Sequence, residues 1–212
     1  MLPSWVSYIH TPLPYADMPY SRAWAFNAGA HAARAEALVL HDNDMLVPMD
    51  YGKEVIARLE DGYEVINLKR FIFYLTEAHS AAVLSGDEAL STRPPETVVQ
   101  NLEAGGSLAI AREAYFAIGG LDEAFVGWGG EDNEFWERAQ TRRVWPYSYM
   151  PIVHLWHPAQ PQKAEANNPN QQRYQERSLS PVETRIRELT MSNFGSTQCS
   201  VEDGTARARS DA

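Results

Sequence analysis

The chain has 212 residues, 44% hydrophobic and 22% charged, which is enough to bury the core of one substantial globular domain. Its formal net charge of −10 argues against nucleic acid or an anionic membrane surface as a partner, because both bind basic surfaces. The single cysteine, Cys199, excludes an intrachain disulfide and a cysteine-based zinc site.

Strands and helices are predicted to alternate along most of the chain. Strands are predicted at residues 5–9, 37–40, 63–68, 107–111 and 152–156. Helices are predicted at residues 22–35 and 48–59, in the stretch that ends at Gly119-Gly120, and at residues 131–140. The aromatic-rich residues 71–84 are ambiguous between the two. This alternation predicts an α/β fold with a mainly parallel sheet.

The composition changes after residue 158, where the chain becomes rich in Gln, Asn, Arg and Ser. We therefore predict a folded domain at residues 1–158 and a polar C-terminal extension at residues 159–212, partly helical and disordered at its end. No apolar run approaches the ~20 residues of a membrane span, and the N-terminus has no signal-peptide pattern. These features favour a cytoplasmic protein, peripheral to a membrane if it acts at one, and they indicate no particular oligomeric state.

The first functional motif is Asp42-Asn43-Asp44, which directly follows the predicted strand at residues 37–40. Ligands of open α/β sheets bind beyond the carboxyl ends of the strands. Two carboxylates there can coordinate a hard divalent cation that also holds a diphosphate. The alternative is a turn rich in Asp and Asn that caps the following helix. The Asp-x-Asp pattern alone leaves both interpretations open.

The second motif is Gly127-Trp128-Gly129-Gly130-Glu131-Asp132-Asn133-Glu134, which opens the helix predicted at residues 131–140. Acidic residues in the first turn stabilise a helix by ~0.3–1 kcal/mol through its macrodipole, without any other function. That interpretation does not explain Trp128, a large aromatic residue between glycines. An indole can stack on a sugar ring while a neighbouring carboxylate accepts a hydroxyl proton, so the motif favours a sugar-binding site.

The third motif is His154-Leu155-Trp156-His157, in which two imidazoles could reach the cation of the Asp-x-Asp motif. Residues three apart on a regular strand face opposite sides, so a shared site requires a bend or bulge. The alternative is two ordinary surface or core histidines.

In this order the motifs resemble those of the β-1,4-galactosyltransferase family and its relatives, which include the galactosyltransferase-like half of polypeptide GalNAc-transferases and the chondroitin polymerases. The similarity runs from about residue 20 to residue 157, and residues 127–134 are its most specific part. Other matching stretches are Ser21-Arg22-Ala23 through Asn27-Ala28-Gly29, His41-Asp42-Asn43-Asp44, Gly105-Gly106-Ser107, and Ile118-Gly119-Gly120-Leu121-Asp122.

The resemblance implies a GT-A-like, Rossmann-like fold, with residues 1–158 as the glycosyltransferase domain. GT-A enzymes normally place a first β-α-β unit, which binds the nucleotide, ahead of the metal-binding strand. Only about twenty residues precede Arg22 here, so we expect a truncated N-terminal nucleotide-binding unit.

The resemblance also implies a metal site and a donor site. Asp44 would ligate Mn²⁺ and His157 would complete the site. His154 stands where the family often has Met. Asp42 would lie nearer the ribose and diphosphate, and Arg22 would help to hold the nucleotide. The implied partners are a UDP-sugar donor and a carbohydrate acceptor.

For the acceptor side, the resemblance implies that Asp132 is the catalytic base. Glu131 and Asn133 would contact the acceptor, and Asn133 replaces a residue that is commonly acidic. The loop that closes over both substrates would contain Trp128, Gly129 and Gly130. These roles imply hexose transfer with inversion, in which the metal neutralises the departing UDP. The same motif occurs in retaining relatives, so both stereochemical outcomes are compatible with it.

Two other functions remain open on the sequence. The abbreviated N-terminus is compatible with a non-catalytic, nucleotide-sugar-binding pseudoenzyme or a fragment that lacks part of the donor site. A metallohydrolase built on Asp42, Asp44, His154 and His157 is the third possibility, but it has no use for the glycine-tryptophan loop.

Overall fold

The computed structural model describes residues 6–9, 19–159, 163 and 167–195. The helices in this part of the chain are α1 (Arg22–Ala32), α2 (Tyr51–Glu60), α3 (Glu77–Ser85), α4 (Arg112–Ala117), α5 (Glu131–Ala139), α6 (Pro169–Ser178) and α7 (Val182–Met191). The strands are β1 (Ala37–His41), β2 (Met45–Leu46), β3 (Val65–Ile66), β4 (Lys69–Tyr74), β5 (Thr97–Gln100), β6 (Ser107–Ala111) and β7 (Met150–His154).

The strands form two sheets rather than one. The first has the order β1-β6-β3 and the second has the order β2-β7-β4-β5. The predicted α/β class is confirmed, but the expectation of mainly parallel pairing is wrong for the described strands. Only β4 and β7 pair in parallel, together with an isolated bridge between Val65 and Val144. Apart from β4 and β5, strands that are consecutive along the chain lie in different sheets, and the order of elements along the sequence does not reveal this.

Most predicted elements occur, with shifted ends. Ser21 caps α1 as expected, since its side chain accepts a hydrogen bond from the Trp24 amide. Of the strand predicted at residues 63–68, only Val65–Ile66 is a strand (β3), and the next strand, β4, begins at Lys69 in the other sheet. The ambiguous stretch becomes β4 followed by α3, which Thr76 caps. Residues 6–9 do not form the predicted strand, and its first residue lies outside the described residues.

The main hydrophobic core lies between the first sheet and the helices that cover it. Its most deeply buried members come from β6, α4 and α5, and include Leu108, Ile110, Tyr115 and Phe135. Each such side chain stabilises the fold by ~1.5–3 kcal/mol relative to exposure. The central strand β6 is buried along nearly its whole length, which explains its uninterrupted apolar sequence.

Helices α6 and α7 both pack against α5, α7 through ion pairs and α6 through a hydrogen bond. Arg185, 3% exposed, contacts Glu134 at 3.1 Å and Glu137 at 2.6 Å, and the Tyr174 hydroxyl donates to Glu137 at 2.6 Å. The end of the chain, where disorder was predicted, lies mostly outside the described residues. Within the described part, no helix is both long and apolar enough to cross a membrane.

Three of the connections that pass between the two sheets lie side by side. Residues 42–44 join β1 to β2, residues 67–68 join β3 to β4, and residues 101–106 join β5 to β6. The Asp42 amide donates to the Gly106 carbonyl at 2.9 Å, and the Asn67 side chain donates to the Leu102 carbonyl at 2.8 Å. The first connection carries Asp42 and Asp44 of the predicted site, and the third contains Gly105-Gly106 of the family-matching stretches.

Candidate active site

The Asp42-Asn43-Asp44 turn is held by the residue before it. His41 Nδ1 lies 2.9 Å from the Ser107 hydroxyl, and His41 Nε2 lies 3.0 Å from the Met45 carbonyl. The turn therefore carries Asp42 and Asp44 across from one sheet to the other. It does not cap the next helix, because the residue at the N-cap of α2 is Asp50. The helix-cap interpretation of the Asp-x-Asp motif is thus wrong.

Strand pairing brings Asp44 to the two histidines. Met45 lies opposite His154 in the antiparallel pair of β2 and β7, and the Leu155 amide donates to the Asp44 carbonyl at 2.8 Å. Because β7 ends at His154, His157 lies beyond the regular strand and can turn to the same side. One ligand atom from each of Asp44, His154 and His157 lies within 4.8 Å of the others.

The donor atoms of this cluster suit a divalent cation. Asp44 Oδ2 lies 3.4 Å from His157 Nε2 and 4.0 Å from His154 Nε2, while Asp44 Oδ1 is buried and has no hydrogen-bond partner among the described residues. His157 Nδ1 lies 2.7 Å from the Pro158 carbonyl, so it must carry the hydrogen and Nε2 keeps its lone pair. Burial lowers the pKa of His154, which favours the neutral, ligating form.

Arg22 joins the Asp-x-Asp turn to the start of α5. Its Nε donates to Asp42 Oδ1 at 2.7 Å, its Nη1 donates to Asp132 Oδ1, and Nη1 lies 3.6 Å from Glu131 Oε1. Burial alone would lower the pKa of Arg22, but the charges of Asp132 and Asp42 raise it overall. Burial likewise raises the pKa of Asp42, although Arg22 opposes this shift. Arg22 thus joins Asp42, which lies 20 positions further along the chain, to Asp132, which lies 110 positions further along.

Glu131 and Asp132 are adjacent in sequence but lie in different environments. Glu131 is 7% exposed, and its Oε2 has no hydrogen-bond partner among the described residues. Burial, and then the charge of Asp132, raises the pKa of Glu131 to about 7. Asp132 is half-buried and paired with Arg22. A carboxyl group whose pKa is raised by burial is a common component of acid–base sites.

Trp128 lies at the edge of the site, 40% exposed, on a loop that α6 supports. The Asn170 side chain donates to the Val126 carbonyl at 2.9 Å, and the Asn168 side chain donates to the Trp128 carbonyl at 3.0 Å. Gly130 ends the loop with φ of 85° at the N-cap of α5, a conformation that favours glycine. Beside the indole is an open cavity of about 360 Å³, lined by Trp128, Lys163, Asn167, Asn168, Gln171, Gln172 and Gln175.

The remaining residues of the glycine-tryptophan-acidic motif lie in different environments. Glu134 is fully buried and bonds Arg138 through both of its oxygens, so it is a structural residue. Asn133 is half-buried on α5 next to Asp132, and Gly129 lies in the loop beside Trp128.

Sequence analysis missed several residues that support the site. Tyr74 stacks on His154 with ring centroids 4.5 Å apart, and His41 holds the acidic turn. Lys69 is completely buried beside the carboxylate cluster. Lys69 directly follows the strand predicted at residues 63–68, and no sequence signal indicated its burial, because lysines are rarely fully buried.

Residues 100–149 match a protein-family model described as the N-terminal domain of galactosyltransferase. The resemblance to galactosyltransferases is thereby confirmed. The matched residues include the glycine-tryptophan loop and α5. No curated protein matches the sequence.

Two solved structures of Drosophila β-1,4-galactosyltransferase 7 are similar to this chain. The catalytic domain in complex with xylobiose shows 16% identity and a TM-score of 0.41, covering 78% of this chain and 65% of that one. A mutant in complex with manganese, UDP-Gal and xylobiose shows 18% identity and a TM-score of 0.38, covering 66% of this chain and 53% of that one. This chain thus spans less than two thirds of the length of either structure.

Proposed function

We propose that this chain is a metal-dependent glycosyltransferase. It would transfer a hexose, galactose or N-acetylhexosamine, from a UDP-sugar to a sugar hydroxyl with inversion. The observation that carries the proposal is the position of Arg22, which joins the Asp-x-Asp turn to Asp132, the proposed base. The galactosyltransferase match over residues 100–149 supports it independently.

Asp44, His154 and His157 would hold the cation, which we propose is Mn²⁺. One carboxylate and two imidazoles form a mixed oxygen and nitrogen donor set that suits a first-row divalent metal. The buried, unpartnered Asp44 Oδ1 also fits such a ligand. When bound, a divalent cation neutralises the charge that develops on a departing diphosphate.

Asp132 would accept the proton of the attacking hydroxyl. Arg22 bonds its Oδ1, which fixes the plane of the carboxylate and leaves Oδ2 for the substrate. Glu131 and Asn133 would contact the acceptor sugar. Because the pKa of Glu131 is raised to about 7, its protonated form can donate a hydrogen bond to a sugar oxygen. A single displacement of this kind inverts the anomeric centre.

Trp128 would stack on a sugar ring at the entrance. Its indole is accessible, and the adjoining cavity offers the amide side chains of α6, which can both donate to and accept from hydroxyl groups. Apart from Lys163 the lining of the cavity is uncharged, so a neutral glycan suits it. The Gly129 and Gly130 backbone would allow the loop to approach the substrate closely.

One observation favours a second candidate, a non-catalytic protein that binds a nucleotide sugar. Arg22, which would hold the nucleotide in the enzyme, is engaged with Asp42 and Asp132. If these pairs persist with ligand bound, the guanidinium and the proposed base would neutralise each other.

Titration of UDP into the purified chain, with Mn²⁺ and then with EDTA, tests the proposal. We expect binding that requires the metal, followed by transfer when UDP-sugars are screened against sugar acceptors. Metal-dependent binding without transfer to any acceptor would favour the non-catalytic alternative. Absence of binding under both conditions would contradict the proposed donor site.

A further inference from the structure

Lys69 is a buried cation that the proposed chemistry does not use. It begins β4, has no exposed surface, and its Nζ donates to Asn67 Oδ1 at 3.2 Å and to the Glu103 carbonyl. An ammonium group removed from water costs several kcal/mol unless partners offset the loss. An apolar side chain of the same length would fill the space at lower cost, so the charge itself requires an explanation.

The hydrogen bonds of Lys69 hold the connection between β5 and β6. The Asn67 side chain, 1% exposed, bonds the Leu102 carbonyl at 2.8 Å and the Glu103 carbonyl at 3.1 Å, and Lys69 bonds the same Glu103 carbonyl. Two neighbouring side chains thus fix the backbone just before Gly105. Beyond it the chain is held by the Asp42 amide, which donates to the Gly106 carbonyl at 2.9 Å.

Gly105 forms the wall against which Asp132 lies. A Cβ atom at this position would lie 2.7 Å from Asp132 Oδ2, which is far inside van der Waals contact. The conformation of Gly105 does not itself demand glycine, because its φ is outside the left-handed region. The space occupied by the carboxylate is therefore the reason for glycine here.

The Lys69 charge also lies within electrostatic reach of the acidic cluster. The groups that act on it are Asp132 on α5, Glu103, Arg22 on α1 and Asp42 after β1. Burial lowers the pKa of Lys69 to about 8, and the three carboxylates oppose this shift. At neutral pH the residue is therefore mostly charged.

We infer that Lys69 is a positioning residue for Asp132: through the Glu103 carbonyl it fixes the Gly105 backbone that seats the carboxylate. The inference rests on the proposed function for its catalytic consequence, but its structural part does not. Because Lys69 is completely buried, it would not contact a substrate itself. It would act on the rate of transfer through the placement of Asp132, which must lie within hydrogen-bonding reach of the acceptor hydroxyl.

The structural part is tested by amide hydrogen exchange in the unliganded full chain. Two amides report on the connection: Ser107, bonded to the Gly105 carbonyl at 3.1 Å, and Asp42, bonded to the Gly106 carbonyl. Lys69→Met should raise their exchange rates about tenfold, because the Glu103 carbonyl loses its anchor. The matched control is Arg70→Met, which removes an exposed charge from the next residue of β4. Unchanged exchange in Lys69→Met, or an equal rise in both variants, overturns the inference.

The catalytic part is tested by separating kcat from KM. Lys69→Met should lower kcat at least about tenfold while the donor KM changes less than about threefold, since only the chemical step depends on Asp132 placement. Unchanged kcat would overturn the inference. Wild-type protein that transfers nothing would contradict the proposed function instead, and the exchange experiment would then decide the inference alone.

A second variant reaches the same contact without altering the buried charge. Gly105→Ala should displace the Asp132 carboxylate and lower kcat, while leaving the exchange of the two reporter amides near the wild-type rate. Its matched control is Gly52→Ala, where a Cβ meets nothing within 4 Å. Full activity in Gly105→Ala would show that catalysis does not depend on the contact between Gly105 and the Asp132 carboxylate.

Discussion

His157 Nε2 lies 3.4 Å from Asp44 Oδ2, although Asp44 precedes the short strand β2 and His157 lies beyond the end of β7. The antiparallel pairing of β2 with β7 produces this contact, because it sets Met45 opposite His154. The candidate metal site is therefore a consequence of strand pairing and not of local sequence.

Replacement of Asp44 tests the metal site directly. Asp44→Ala removes the only carboxylate of the three-residue cluster, so metal-dependent UDP affinity should fall at least about tenfold, or about 1.4 kcal/mol. Calorimetric titration with Mn²⁺ present measures the change. Asp50→Ala is the control, since Asp50 is exposed and its side chain makes no capping hydrogen bond to α2. Equal affinity in Asp44→Ala and wild type would place the cation elsewhere.

Replacement of Asp132 tests the proposed base. Asp132→Asn should lower the rate of transfer by about 10²–10⁴, because an amide cannot accept the hydroxyl proton. UDP and Mn²⁺ affinity should change less than about threefold, since the base acts in the chemical step. The control, Glu113→Gln, removes an exposed acid from the first turn of α4 and so measures the effect of the helix macrodipole alone. Wild-type turnover in Asp132→Asn would remove this residue from the role.

Replacement of Trp128 tests the sugar-stacking surface. Trp128→Ala should raise the acceptor KM about 3- to 10-fold, in keeping with the ~0.5–1.5 kcal/mol of an aromatic contact. Trp128→Phe keeps an aromatic face and should recover most of the loss. Steady-state kinetics with varied acceptor measure both. Should neither variant alter the KM, the indole has only a structural role.

The protonation of Glu131 should make stability depend on pH. Because burial raises its pKa to about 7 from 4.5, the native state binds this proton more tightly than the unfolded state does. The resulting stabilisation is complete below about pH 4.5 and is lost as the pH rises through 7, with a total of about 3 kcal/mol.

Glu131→Gln, which resembles the protonated form, should remove this part of the pH dependence. Thermal unfolding in EDTA between pH 5 and 8 measures it, with the exposed Glu113→Gln as control. If the stability of wild type and Glu131→Gln falls equally over that range, Glu131 ionises as an exposed glutamate does.

The elements of this fold were largely predictable from the sequence, but their pairing was not. β6 has an uninterrupted apolar run, and α1 has a serine at its N-cap, so local patterns located both. The pattern that predicted one strand at residues 63–68 could not show the change of sheet after Ile66. Hydrophobic patterning indicates which residues are buried. Val65, Ile66 and Leu68 are all fully buried, so the pattern is the same before and after the change of sheet.

For the candidate site, the sequence indicated which residues lie close together better than how they contact one another. The two acidic motifs and the histidine pair were recognisable by residue type and order. The hydrogen bond from Arg22 to Asp132 could not be recognised in this way, because the two residues are 110 positions apart. The support from Lys69 was also missed, since a lysine in a strand pattern is ordinarily exposed.

Strand β2 has only two residues, so few contacts fix the position of Asp44 relative to the histidines. Only two residue pairs, Met45 with His154 and Leu46 with Val153, fix the register that aligns Asp44 with the histidines. A slip of β2 by one residue against β7 would shift this alignment by ~3.3 Å and turn the side chains to the other face. The hydrophobic core, built mainly on the other sheet, would survive such a change. The proposed cation site would therefore be lost through a change of register in β2 alone, while the main hydrophobic core stays intact.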